Sequence, residues 1–133
     1  MINKNYNITK IEGVLWNLCK TTLGSSMKVY AGNRPASVET SLTSFCVVAV
    51  PGNITDLDAF GRGYVTIYIY AKDLTGGIKN GAVLSQLHDL LIAALPYSDA
   101  DYFIDFSSEA SFNDSTGFHI LAINMILKTK RIL

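Results

Sequence analysis

The chain has 133 residues, with 11 basic and 11 acidic side chains, and only 17% of its residues are charged. That length suits a single domain over residues 1–133 with a core of its own, and the apolar content excludes whole-chain disorder. A balanced charge argues against nucleic acid as the main, tight partner, while a neutral chain with few charges favours self-association, so an oligomer is expected.

Met1 to Lys10 is polar and lacks the apolar stretch of a signal peptide. No run approaches the ~20 apolar residues of a membrane span. The chain is therefore read as intracellular, or packaged from inside a cell, with no membrane partner. Ile8, Ile11, Leu15, Leu18 and Thr22 recur at helical spacing, joined by Cys19, which predicts a helix over Ile8–Leu23. Gly24-Ser25-Ser26 ends it. Trp16 sits on the flank of that stripe, at the core edge or at an interface.

Lys28–Ala31 reads as a short strand, broken by Gly32-Asn33-Arg34-Pro35, and Ala36–Thr43 reads as a loop. The β-branched run Phe45–Val50 predicts a buried strand ending at Pro51-Gly52-Asn53. Ile54–Gly63 is read as a connection longer than a tight hairpin. Tyr64–Lys72 alternates with a period of two, Tyr64, Thr66, Tyr68 and Tyr70 on one face and Val65, Ile67, Ile69 and Ala71 on the other. The aliphatic face is expected to meet helices, and the tyrosine face a neighbouring subunit or strand layer.

The glycine-rich connection Asp73–Gly81 leads to a helix over Ala82–Leu95, with Val83, Leu84, Leu87, Leu90, Leu91 and Ala94 inward, Ile92 pointing the other way and Pro96 as the stop. Tyr102–Glu109 is a weaker strand. Asn113–Gly117 is a turn cluster. Phe118–Lys130 is a strand apolar on both faces, so both faces need covers, and a neighbouring subunit is expected to supply one. The order α-β-β-β-α-β-β is that of an α+β domain, a mostly antiparallel sheet with two packed helices.

Little in the chain points to chemistry. His88 stands on the second helix beside Asp89, and His119 stands in the last strand, without a nucleophile-and-acid arrangement around either. Asp56/Asp58 and Asp99/Asp101 do not follow the EF-hand pattern and read as solvated loop acids. Cys19 and Cys46 have no metal-ligand spacing and read as small buried hydrophobes. Gly61-Arg62-Gly63 and Thr75-Gly76-Gly77 lack the spacing of a phosphate loop; only Lys79, near the second helix's start, keeps a phosphate-binding reading open. Lys128-Thr129-Lys130-Arg131 reads as a solvated strand end. No catalytic, cofactor or metal residue is assigned.

The helix, then Val29-Tyr30 and Arg34-Pro35, the Phe45–Val50 strand, the long Tyr64–Lys72 strand running into Asp73-Leu74, and the Gly117-Phe118-His119 strand start together resemble the small tail terminator, or tail completion, proteins of long-tailed bacteriophages and prophages. The resemblance spans nearly the whole chain in element order. It implies a structural α+β protein that forms a ring, often a hexamer. Such a ring caps the tail tube, ends tail polymerisation and joins tail to head. The implied partners are other copies of the chain, the tail tube protein and a head-completion protein, with DNA passing through without specific binding. The implied locations are the virion tail or neck and, during assembly, the host cytoplasm. It implies no catalytic residue and no cofactor. A ring closes through head-to-tail contacts between two different surfaces. Tyr64, Tyr68, Tyr70, Ile92 and Met125 are the expected subunit-interface residues, and Asp56, Asp58 and Arg62 the expected residues facing the lumen or tube. The alternatives are a small-molecule-binding or regulatory domain using the glycine-rich loop 73–81, and an enzyme using His119 or His88.

Overall fold

A computed structural model describes residues 7–35, 41–50, 54–57 and 60–130, the Asp56 side chain excepted. Two helices and seven strands follow in the order α1 (Ile8–Leu23), β1 (Val29–Ala31), β2 (Ser44–Ala49), β3 (Thr55–Asp56), β4 (Gly61–Lys72), α2 (Gly81–Ala93), β5 (Tyr97–Ser98), β6 (Tyr102–Asn113) and β7 (Phe118–Thr129). One curled sheet runs β1-β2-β4-β7-β6-β5, with β3 paired on β4. Only β1 and β2 are parallel. The α+β class and the order read from the sequence hold, the two-residue strands β3 and β5 being additions.

α1 starts at Asn7, whose side-chain oxygen accepts from the Lys10 amide at 3.1 Å. This satisfies one of the amides that a helix start leaves unpaired. Asn80 caps α2 in the same way, accepting from the Val83 amide. Both helices lie on one face of the sheet. There Ile11, Leu15, Leu18 and Cys19 of α1 and Leu84, Leu87 and Leu91 of α2 close over Val65, Ile67, Ile69 and Ala71 of β4 and Ile123, Met125 and Leu127 of β7. Period-two alternation on the strands and 3,4 spacing on the helices build this core. Leu90 falls off the 84–87–91 stripe and is exposed, and Ile8, in the first turn of α1, is exposed too.

Three sequence expectations change. The 54–63 connection is a tight hairpin: Thr55 pairs with Arg62, Asp56 with Gly61, and the Leu57 amide donates to the Phe60 carbonyl at 2.8 Å. β4 therefore begins at Gly61. β6 runs on to Asn113, paired with β7 on both sides of a bulge at Ser107, although Phe106–Asn113 is exposed throughout. The outer face of β7 is partly covered by the chain itself. Phe118 and Ile120 pack with Phe45, Val47 and Tyr70, so the neighbouring subunit expected there is not required over that half.

Cys19 and Cys46 meet in the core as free thiols. The Cys19 contact and burial push the Cys46 thiol well above its usual range, which keeps it protonated. Met125, expected at a subunit interface, is fully buried between sheet and helices because it shares the inward parity of Ile123 and Leu127. Met125→Ala therefore removes core volume and is expected to cost about 2–5 kcal/mol, measured as a lowered midpoint in urea unfolding. An unchanged midpoint would place Met125 outside the core.

Candidate functional site

The sheet face away from the helices carries an aromatic cluster. Phe45 stacks on Tyr70 at 4.3 Å between ring centroids and meets Tyr30 and Phe118 edge-on at 5.7 and 5.4 Å. Such geometries suit the ring quadrupoles and bury large apolar areas. Tyr70 is buried here, so it belongs to the fold and is not an exposed interface residue; Tyr68 is half-buried beside it. Burial and the Asp114 charge push the Tyr70 hydroxyl up, partly opposed by Arg34.

Arg34, after β1, closes over this cluster. Its guanidinium lies 6.0 Å from the Phe45 ring centre and 5.8 Å from that of Tyr70. One terminal nitrogen donates to the Asp114 carboxylate and, at 2.8 Å, to the Thr116 hydroxyl, both in the turn between β6 and β7. Its buried Nε has no partner among the described residues. One side chain thus ties the β1 end of the sheet to the β6–β7 turn. Beside it opens a cavity of about 740 Å³, with Val47, Tyr68 and Tyr70 on the sheet, Glu12 and Arg34 toward β1, and Phe112 on β6. In the sequence Arg34 was legible as part of a strand break and of the family resemblance, not as a clamp, because its partner lies 80 positions away.

A polar row crosses the same face. The Thr66 hydroxyl donates to Asn124 at 2.9 Å, and the Asn124 amide donates to Ser108 at 3.2 Å, joining β4, β7 and β6. Past that row the face turns basic and aromatic. Arg62 lies over the Tyr64 ring at 5.8 Å and donates to its hydroxyl at 3.2 Å. Lys128, opposite Arg62 in the ladder, stands over Phe60 and Phe103 at 5.6 and 6.0 Å. Arg62 and Tyr64 are exposed, and Arg62 is a strand residue. Asp58, expected to share its surface, lies outside the described residues, as do Arg131 and the Asp56 side chain.

On the helix side, His88 of α2 faces Asp89 at 2.9 Å and Glu109 of β6 at 3.2 Å. The bond to Asp89, then the charge of Glu109, outweigh partial burial and raise its pKa. Ile92, one turn on, is half-buried and lines a smaller cavity of about 230 Å³ with Leu95 and Phe106. His119 pairs with Asp73 at 2.5 Å. The glycine-rich loop closes on itself: the Leu74 amide donates to the Ile78 carbonyl, Gly76 and Gly77 supply the positive φ of the turn, and Lys79 bonds Ser111 at 3.0 Å. Lys79 is thus directed at β6, which weakens the phosphate-loop reading. Asp99 is a turn organiser, not a solvated acid. It accepts from the Asp101 and Tyr102 amides and the Tyr97 hydroxyl, and together with Lys130 these outweigh burial and hold its carboxyl below the usual range. Among the described residues no group of three or more His, Cys, Asp or Glu is placed to hold a metal ion, and no helix is long and apolar enough to cross a membrane.

No protein-family model and no curated protein matches the chain. Sixteen chains of solved structure match it. One aligns over 89% of this chain and 94% of its own length with a TM-score of 0.54 and 11% identity. At that identity the likeness shows a shared fold alone.

Two outcomes follow from this geometry. Arg34→Ala is expected to lower stability by about 1–3 kcal/mol in urea unfolding, with altered near-ultraviolet circular dichroism from the tyrosines. Arg34→Lys should recover little, because a lysine cannot both bond the turn and lie flat on the rings. His88 has a raised pKa, so its stabilising contribution is full below the ordinary imidazole value and is lost as pH rises through the raised one. His88→Gln should therefore lower the melting temperature near ~pH 5 and leave it unchanged near ~pH 9. An equal shift at both pH values would exclude the charge link.

Proposed function

We propose that the chain is a structural, ring-forming protein of the kind that caps a bacteriophage tail tube and joins tail to head, acting by self-association and docking without turnover. The observation that carries this reading is the single sheet left open at both ends. β1, and β6 beyond Ile104, have no strand partner on their outward edges among the described residues, and large side chains stand exposed around the sheet, among them Trp16, Tyr64, Phe106 and Phe112. Open edges and exposed aromatics are what a subunit presents to its neighbours. The element order shared with tail terminators supports the same reading, in which Arg62, with Lys128 opposite it in the ladder, faces the lumen or tube and Tyr64 beside them stays with the subunit contacts.

A second reading, a small-molecule-binding domain, draws on the cavity of about 740 Å³ beside Arg34. Light scattering over a concentration series, followed by electron microscopy of terminator-deficient tails with added protein, separates the two. A discrete ring, or association that rises with concentration and caps tails, is expected. A chain that stays monomeric, leaves tails uncapped and melts higher with a nucleotide or phosphate compound would favour the cavity reading.

A further inference from the structure

The two open ends of the sheet are complementary. Beyond Ile104, where β5 stops, Asp105–Asn113 of β6 has no outer strand partner among the described residues. On its helix side lies the cavity of about 230 Å³ between α2 and β6, with Ile92, Leu95 and Phe106 as its apolar walls. Asp105 and Glu109 stand on its rim, with Asp89 on α2 close by. This edge is apolar with a border of three carboxylates, two of which, Asp89 and Glu109, already bond His88 at the cavity wall, leaving the border acidic on balance.

The opposite end has the inverse character. α1 runs beside β1. The Glu12 carboxylate reaches the Gly32 end of β1, and the Lys20 ammonium bonds the Met27 and Ser25 carbonyls at the other end. Trp16 lies one helical turn from each, so it stands alongside the open β1 edge, 39% exposed, with the Lys20 ammonium 5.1 Å from its ring centre. Lys28 is exposed immediately before β1. This edge is a tryptophan between Glu12 and Lys20 with Lys28 beyond, basic by one charge on balance. Trp16 and the α2–β6 cavity both lie on the helix side, so a sheet continuing from one copy into the next brings them to the same level.

We propose that the occupant of the β6 edge is a second copy of this chain. The β1 end of one copy docks on the β6 end of the next, Trp16 enters the cavity between α2 and β6, and Lys20 and Lys28 face Asp105, Glu109 and Asp89. This specifies the contact behind the ring reading and rests on it. The contact is head-to-tail, since the two surfaces differ, and it repeats from copy to copy until the rotation closes. An exposed tryptophan entering an apolar pocket ringed by charge has the character of an interface hot spot.

The test uses one variant on each edge. Trp16→Ala with Lys28→Glu damages only the β1 end, and Phe106→Glu damages only the β6 end. All three positions are exposed, and circular dichroism and melting confirm that each variant folds. Each alone should associate at least roughly tenfold more weakly than the parent chain. Mixed one to one they should form a discrete dimer and nothing larger, because each supplies one intact end. Variants that assemble like the parent, or a mixture that stays monomeric while the parent forms larger species, would overturn the edge contact and leave the ring reading standing. A parent chain that is monomeric at every concentration and also leaves terminator-deficient tails uncapped overturns both.

Discussion

β4 and β7 pair residue for residue from Gly61–Thr129 to Lys72–Phe118, and the two-residue period of that ladder decides which side chain reaches which layer. Val65, Ile67 and Ile69 point to the helices together with Ile123, Met125 and Leu127. Thr66, Tyr70, Phe118 and Ile120 point the other way, and a one-residue slip would exchange the two sets. α1 and α2 can close a core only because this register offers them an unbroken aliphatic floor. β2 and β6 then dock on the outer sides of the same pair, and the sheet grows outward from it.

The face without helices is held by different physics in its two halves. Above the Thr66–Asn124–Ser108 row, stacked rings are sealed by Arg34, which replaces a covering layer with one planar cation bonded to the far turn. A guanidinium suits that place because it lies flat on aromatic rings and still donates at its edge. Below the row no such seal is present among the described residues, and Arg62, Tyr64 and Lys128 are exposed. The polar row separates a half that completes the fold from a half available to a partner.

Much of this was legible in the sequence, and the gaps have physical causes. Strict periodicity made α1, α2, β4 and β7 readable, because each has one face in the core and a regular pattern records it. The end of β6 past Glu109 was not readable, since Ala-Ser-Phe-Asn has only Phe112 to favour a strand and is held by pairing with β7. Met125 looked like a surface candidate because a strand apolar on both sides does not say which side the helices take, and Tyr70 because the rings and the guanidinium that cover it come from distant segments. Arg34 and Asp114 were not connected because a contact spanning 80 positions leaves no local trace.

A sheet with two unsatisfied ends is normally an aggregation hazard, and soluble proteins blunt such edges with charge or by keeping them short. Both devices are present, one at each end. β1 is three residues long and lies beside α1. The open part of β6 is longer but bears Asp105 and Glu109, and the Asp105 side chain already accepts the Phe106 amide at 2.8 Å. The two ends also differ in charge, Lys20 and Lys28 beside β1 against Asp105, Glu109 and Asp89 beside β6, with Glu12 and His88 offsetting part of the contrast. In the contact proposed above, like ends repel and unlike ends attract, so the charges that oppose random edge pairing would favour one ordered, head-to-tail contact.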